Sequence, residues 1–404
     1  EMRLVLWIVG AGIAACSAAG VGGGEYGDDP EDASMPTPTP EVEAGPDVGP
    51  TELDASACTD CEYFPETCSA DVLCPNGPFD ANSSESLDVR TSIESIRGRS
   101  SKDVWVVGAL GAIAHFDGVV WKRSDAETQD TLMNLWLRES SEVALGGFGQ
   151  VYARGVEIVD GGASPSIDGW APYSPTYVAG QKLTDARVVG VWAAPGSEWL
   201  WCAAQTSSTS TTTSATAGLW RLRQRPSTPF EGNVAVATSV CRQNACTQMT
   251  SVHGASADEL WAVGIEGSIV RVNDAESASP SVRGFNSQTL NALNGVWSAS
   301  ASEAWAVGVA GTIRHYTGDP ARWDIVSNVP TSVDLNAVWG TSPSDVWVVG
   351  DRGVVLHYDG NGWSRVKIAG IGQDRPDLKT VWSAAPGHPW IGGRGVVLSL
   401  GGKP

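Results

Sequence analysis

Basic side chains are scarce. The 26 Lys and Arg stand against 46 Asp and Glu in 404 residues, a formal charge of −20. A chain of that sign offers no basic face for a phosphate backbone, so nucleic acid is set aside as a partner. Methionine is rarer still, at 4. The one pronounced N-terminal apolar run, Leu4 to Ile13, has about ten residues, half of what a bilayer-spanning helix needs. There is no G-x-S-x-G, no H-E-x-x-H and no Gly-rich phosphate loop opening a helix. No cofactor or resident metal is therefore expected, and no catalytic constellation is recognised. What replaces the Ala, Leu, Glu and Lys of a helical protein is 47 Gly, 23 Pro and 18 Trp, together with abundant Ser, Thr and Val. Helical bundles and coiled coils are disfavoured, and an all-β chain with one large core is expected.

The acidity is unevenly placed. Up to Arg90 there are 18 acids against Arg3 and Arg90, whereas the rest of the chain is nearly balanced. Met2-Arg3, the short apolar run, and then Ile13-Ala14-Ala15-Cys16 describe an export signal over 1–15. Cys after two small residues resembles the bacterial lipobox, which implies lipidation at Cys16; the alternative is an ordinary signal peptide with an incidental Cys16. Ser17 in place of Asp favours the outer membrane by the same resemblance. Residues 16–57 are rich in Gly, Pro, Asp and Glu, including Pro36-Thr37-Pro38-Thr39-Pro40, and read as an acidic tether. A flexible coil of about 40 residues has a root-mean-square span of roughly 35 Å.

A Cys-rich segment, 58–85, follows. Cys58, Cys61, Cys68 and Cys74 could hold zinc, but an exported chain favours two disulfides, with three pairings open. Cys241 and Cys246 are expected to close a small third loop. Cys202, in an apolar run, is expected to be a buried inert thiol.

From residue 86 the chain repeats. The clearest copy is Leu335-Asn-Ala-Val-Trp-Gly-Thr-Ser-Pro-Ser-Asp-Val-Trp-Val-Val-Gly350, followed by Gly353, Val-Val-Leu-His-Tyr-Asp-Gly360 and Trp363. The Gly350 position recurs at Gly108, Gly147, Ala204, Gly264, Gly308 and Gly393, so there are seven copies of about 45 residues. Each copy reads as four short strands, A to D, with a buried strand B, a tight B–C turn and an Asp-Gly C–D turn. Seven such copies specify a seven-bladed β-propeller over 86–404. Fourteen of the 18 Trp occupy repeat positions, which assigns them to packing between blades. The last copy stops after strand C, and Leu87-Asp88-Val89-Arg90 is the expected closing strand.

The repeat, V-W-G-x-S-x-x-D-V-W-x-V-G-x-x-G-x-I-x-H-[FY]-D-G-x-x-W, resembles the BNR-like (bacterial neuraminidase repeat-like) propellers of exported bacterial proteins, notably lipoproteins of myxobacteria and related Deltaproteobacteria. Proteins of that architecture include sialidases, photosystem assembly factors and pilus-tip propellers, so the resemblance implies the fold and leaves the activity open.

Asp103, Glu259, Glu303 and Asp345 share one position before strand B and are read as turn residues. His115, His315 and His357 share a strand-C position and are read as a solvated polar face. B–C turns and D–A connections should emerge on one face, together with the Ser/Thr-rich insert 206–217 and the long connections near 160–185 and 226–250. Glu266, Asp351, Arg352 and Arg394 are the candidate binding rim. The expected function is a lipid-anchored, monomeric, non-enzymatic envelope propeller that binds a protein or glycan, touching the membrane through its lipid alone. The alternative is a carbohydrate-active hydrolase of sialidase-like architecture.

Overall fold

The computed structural model describes residues 60–80, 83, 85–157, 162–177, 186–206, 218–225 and 229–402. Cys16, the tether, Cys58 and residues 207–217 of the Ser/Thr-rich insert lie outside them.

Seven antiparallel sheets form a seven-bladed β-propeller. Strands A to D run Ile93–Ser100, Asp103–Gly108, Ile113–Phe116 and Trp121–Ser124 in blade 1, and Leu335–Ser342, Asp345–Gly350, Val355–Tyr358 and Trp363–Arg365 in blade 6. Blade 4 holds Met249–Ser256, Glu259–Gly264, Ile269–Asn273 and Ser281–Phe285. Blade 3 gains a fifth strand at its rim, Thr176–Tyr177, parallel to its strand D, Phe230–Val234. The stretch 226–250 is thus no plain connection, because it contains that strand D and a helix, Thr238–Asn244.

Blade 7 comprises Leu378–Ser383, Pro389–Gly393 and Val396–Leu400, and its outer strand is Leu73–Pro75, antiparallel to Val396–Leu400. This corrects the expectation that 87–90 closes the ring. Three strand spacings of about 4.8 Å separate an outer strand from an inner one, roughly 14 Å, and a chain leaving position 90 has only residues 91 and 92 before strand A of blade 1, three chain steps with a reach of about 10 Å. Residues 87–90 form a turn tied by Leu87 N–H to Pro78 O and Thr91 N–H to Asp88 O. The described part of the Cys-rich segment is consequently built into the propeller. Phe64 and Leu73 are buried among Trp347, Val355, Ile368 and Leu398. Cys68 pairs with Cys74, and Cys241 with Cys246. Cys202 is free and buried, and burial pushes its thiol well above the usual range.

The tryptophans join blade to blade, as their repetition suggests. Trp261 on strand B of blade 4 meets Tyr316 and Trp323 of blade 5 at 4.7 and 4.9 Å. Trp305 of blade 5 meets Tyr358 and Trp363 of blade 6, and Trp390 of blade 7 meets Phe116 and Trp121 of blade 1. Strand A has its own device: a Trp over the glycine of the next blade. A Cβ on Gly340 would come 2.6 Å from the Trp297 indole; Gly98 lies under Trp382 and Gly254 under Trp192 in the same way. Any Cβ at these three positions would collide with the indole.

The repeated acids and histidines form a connected unit, and the readings of turn residue and solvated face are corrected. Asp345 accepts from Trp347 Nε1 at 3.0 Å and Thr341 Oγ1 at 2.5 Å, and lies 2.8 Å from His357 Nε2. The His357 ring stacks on Trp347 at 4.1 Å. Asp103–His115–Trp105 repeats the arrangement in full, Glu303–His315–Trp305 keeps the acid–His contact and the stacked rings without the indole hydrogen bond, and Glu259–Arg271–Trp261 substitutes a guanidinium. Half-burial of the pair makes each carboxylate worth more as an acceptor than it would be in a solvated turn.

Candidate functional site

Strand direction places the B–C turns and the D–A connections on one face of the ring, called here the B–C face. In blades 1, 4, 5 and 6 the turn has one plan: a non-glycine residue at φ near +55° (Leu110, Glu266, Ala310, Arg352), then a glycine at φ of 67° or 68°. The left-handed apex is disfavoured by about 1 kcal/mol or more without glycine. It is held from outside, since Asp334 Oδ1 accepts from Ala310 N–H at 2.8 Å and Asp377 Oδ1 from Arg352 N–H at 3.2 Å. Those apex side chains are therefore projected from fixed backbone.

The four predicted rim residues do not act together. Arg394 lines a groove of about 840 Å³ on blade 7, between the 370–376 connection and the segment after the closing strand, walled by Pro75, Phe79, Ile371, Arg375 and Val396. Glu266 lines a second groove, of about 510 Å³, on blade 4, with Asn244, Ile269, Arg283, Phe285 and Thr289. Both residues are exposed and make no ion pair among the described residues. Arg352 is an exposed apex on blade 6 that lines neither groove. Asp351 is engaged internally: its Oδ1 accepts from Asn336 Nδ2 at 2.8 Å and lies 3.3 Å from Lys379 Nζ.

The blade 7 groove carries Asp374, Arg375 and Arg394 in its walls. Arg375 lies 3.6 Å from the Phe64 ring and 3.6 Å from the Asp60 carboxylate, which fixes it in the wall, while the Arg394 guanidinium projects freely. The signal for this groove in the sequence was the one-residue-shorter turn Gly393-Arg394-Gly395. Its other wall comes from the Cys-rich segment and was not foreseen, because the location of the closing strand was misread.

The axis is lined by strand A of every blade. Strand A carries a β-bulge in six blades, at its second residue in five (Glu94, Thr250, Asn294, Asn336, Lys379) and at Val189 in blade 3, which re-aims those side chains. Three of them staple neighbouring blades: Thr250 Oγ1 donates to Leu293 O at 2.5 Å, Asn294 Nδ2 to Leu335 O at 2.9 Å, and Asn336 Nδ2 to Leu378 O at 2.8 Å. Below this belt Arg97 lies 5.1 Å from the Trp339 ring and His253 lies 5.3 Å from it, from blades 1, 6 and 4. They floor a cavity of about 100 Å³ lined by strands A of all seven blades.

Similarity to solved structures is at the level of fold. YCF48 bound to a D1 peptide is 13% identical with a TM-score of 0.56, covering 83% of this chain and 98% of that one. A catalytically inactive virginiamycin B lyase from Staphylococcus aureus with quinupristin is 11% identical, TM-score 0.56, over 77% and 95%. The WD40 β-propeller domain of Doa1 is 9% identical, TM-score 0.54, over 76% and 92%. No protein-family model matches the chain, and no curated protein matches it in sequence. The structural neighbours are β-propellers, and that architecture is what this chain shares with them.

Proposed function

We propose that the protein is a binding propeller, holding an extended protein segment against its B–C face without chemical turnover. The observation that carries this reading is the pair of open grooves on that face, each with a charge at its lip that makes no ion pair among the described residues, Arg394 on blade 7 and Glu266 on blade 4. A rigid ring fixes the grooves, and loops on a rigid scaffold are where propellers bind. The carboxylates at the repeat positions are committed to His or Arg partners, which suits structural work better than acid–base work. A propeller of similar fold, YCF48, has been captured with a peptide, which agrees with this use of the scaffold. The finer reading keeps the sequence expectations: export, a lipid on Cys16, and an acidic tether that lets the B–C face search within roughly 35 Å of the outer membrane.

Selection of a displayed peptide library on the full chain tests the reading. Enriched peptides should bind at micromolar Kd and lose at least about tenfold, or 1.4 kcal/mol, on Arg394→Glu or Glu266→Lys. No enrichment, or peptides that bind all variants equally, would refute it.

A further inference from the structure

The axial cavity has a charge without a counter-charge. Arg97 is desolvated, and burial lowers its pKa to about 10, so it remains a cation at neutral pH. Its satisfaction within the chain is meagre: Nη1 donates to Ile96 O at 2.7 Å, and the Trp339 ring faces the guanidinium. No carboxylate pairs with it among the described residues. Asp351 is taken by Asn336 and Lys379, and Glu94, which lines the same cavity, makes no ion pair among the described residues.

His253 adds a second donor. Its Nδ1 accepts from Ser298 N–H at 3.1 Å, so the neutral ring carries its proton on Nε2. That N–H has no acceptor among the described residues, although the residue is only 8% exposed. Both groups line the same cavity of about 100 Å³, together with the hydroxyls of Ser95, Ser251 and Thr380. Two of those hydroxyls already accept from the next blade, Thr380 from Ile96 N–H and Ser251 from Val296 N–H, which leaves their own protons to donate. The cavity floor is therefore rich in donors and carries a fixed positive charge. At about 30 Å³ per water, it has room for an anion with one or two waters and for nothing as large as a peptide.

We propose that this cavity is a binding site for a small monovalent anion of the halide class, seated between the Arg97 guanidinium and the His253 Nε2–H. The ion neutralises a half-buried cation that no carboxylate pairs among the described residues, and it ties blade 1 to blade 4 across the axis. The site is separate from both surface grooves, so its failure would leave the binding-face reading untouched.

Chloride-35 line broadening of the full chain, with bromide as competitor, reads the site without any variant. The expected result is saturable broadening with half-saturation below about 0.15 M, the physiological ionic strength, displaced by bromide. Arg97→Met should lose at least tenfold in affinity. Should that variant fail to fold, crystals of the unaltered chain soaked in bromide supply the second reading, an anomalous peak in contact with Arg97 and His253. Linear, uncompeted broadening, a cavity that holds water alone, or a peak present only in molar bromide would overturn the proposal.

Discussion

Protonating His253 should destabilise the propeller, and the size of the effect follows from where the ring sits. It is 8% exposed, surrounded by Trp192, Trp297 and Trp339 at 5.3 to 6.3 Å, and its Nδ1 is committed to Ser298 N–H. Burial, reinforced by the charge of Arg97, lowers its pKa to about 3 from the usual 6.5 of a free imidazole. The folded pKa of this base lies below the unfolded one, so between those values the unfolded chain binds more protons, and stability falls as pH is lowered through that window. At pH 5 the accumulated loss is about 1.5 pH units at 1.36 kcal/mol each, or about 2 kcal/mol. For a domain of this size that is about 3 °C in Tm. The assay is thermal unfolding at pH 7 and pH 5 in sodium methanesulfonate, a halide-free salt. The comparison is with His253→Asn, whose side-chain oxygen can still accept from Ser298 N–H but does not titrate. Other groups titrate in both proteins, so the difference between the two pH slopes carries the test. Wild type should lose about 2 kcal/mol more than the variant; equal slopes would refute the claim that His253 is buried neutral.

Three further outcomes are expected. Asp345→Asn removes the charged acceptor shared by Trp347, Thr341 and His357, and should cost about 1–3 kcal/mol in urea unfolding at pH 7. Burial opposes ionisation of Asp345, but hydrogen bonds from Thr341, His357 and Trp347 outweigh it and hold its pKa below the usual value. Its contribution is therefore present above about pH 4 and lost as pH falls through the folded pKa, a loss the variant should not show. Gly340→Val places a Cβ 2.6 Å from Trp297 and should cost about 1–3 kcal/mol or more, whereas Gly362→Ala, with nothing within 4 Å, should be nearly neutral; equal effects would contradict the Trp-over-Gly packing. Leu73→Ala, at a fully buried position of the closing strand, should cost about 2–5 kcal/mol, and a chain begun at residue 86 should associate through the bared edge of Val396–Leu400; light scattering showing a stable monomer would place the closure elsewhere.

The blade plan was legible because it is written seven times: the Gly350 and Gly353 positions mark the B–C turn, and Asp359-Gly360 marks the C–D turn. The Trp positions announced inter-blade packing because only a repeat requirement explains a bulky aromatic at the same place in copy after copy. The roles of Asp345 and His357 were missed because they are 12 residues apart and meet only when strands B and C pair in register. Reading each column alone gave a turn and a wet face. The closing strand was misplaced for a related reason. Leu87-Asp88-Val89-Arg90 is the more strand-like segment by position, but the distance from outer rim to axis, which sequence pattern does not display, forces Leu73-Cys74-Pro75 into the sheet. Of the rim residues, Glu266 and Arg394 reached grooves because the turn geometry projects them. Asp351 did not, because the bulge at Asn336 and the strand-A Lys379 turn toward it. The floor formed by Arg97 and His253 could not be foreseen, since these are the two strand-A positions where the repeated Trp is replaced.

Hydrogen–deuterium exchange on the full chain, with and without a saturating selected peptide, tests the central claim that partners are held on the B–C face. The account predicts slowed exchange in 266–269 and 284–289, in 370–376 and 394–397, or in both regions. Protection confined to the opposite face, at the A–B and C–D turns around 99–103 and 117–121, would contradict it.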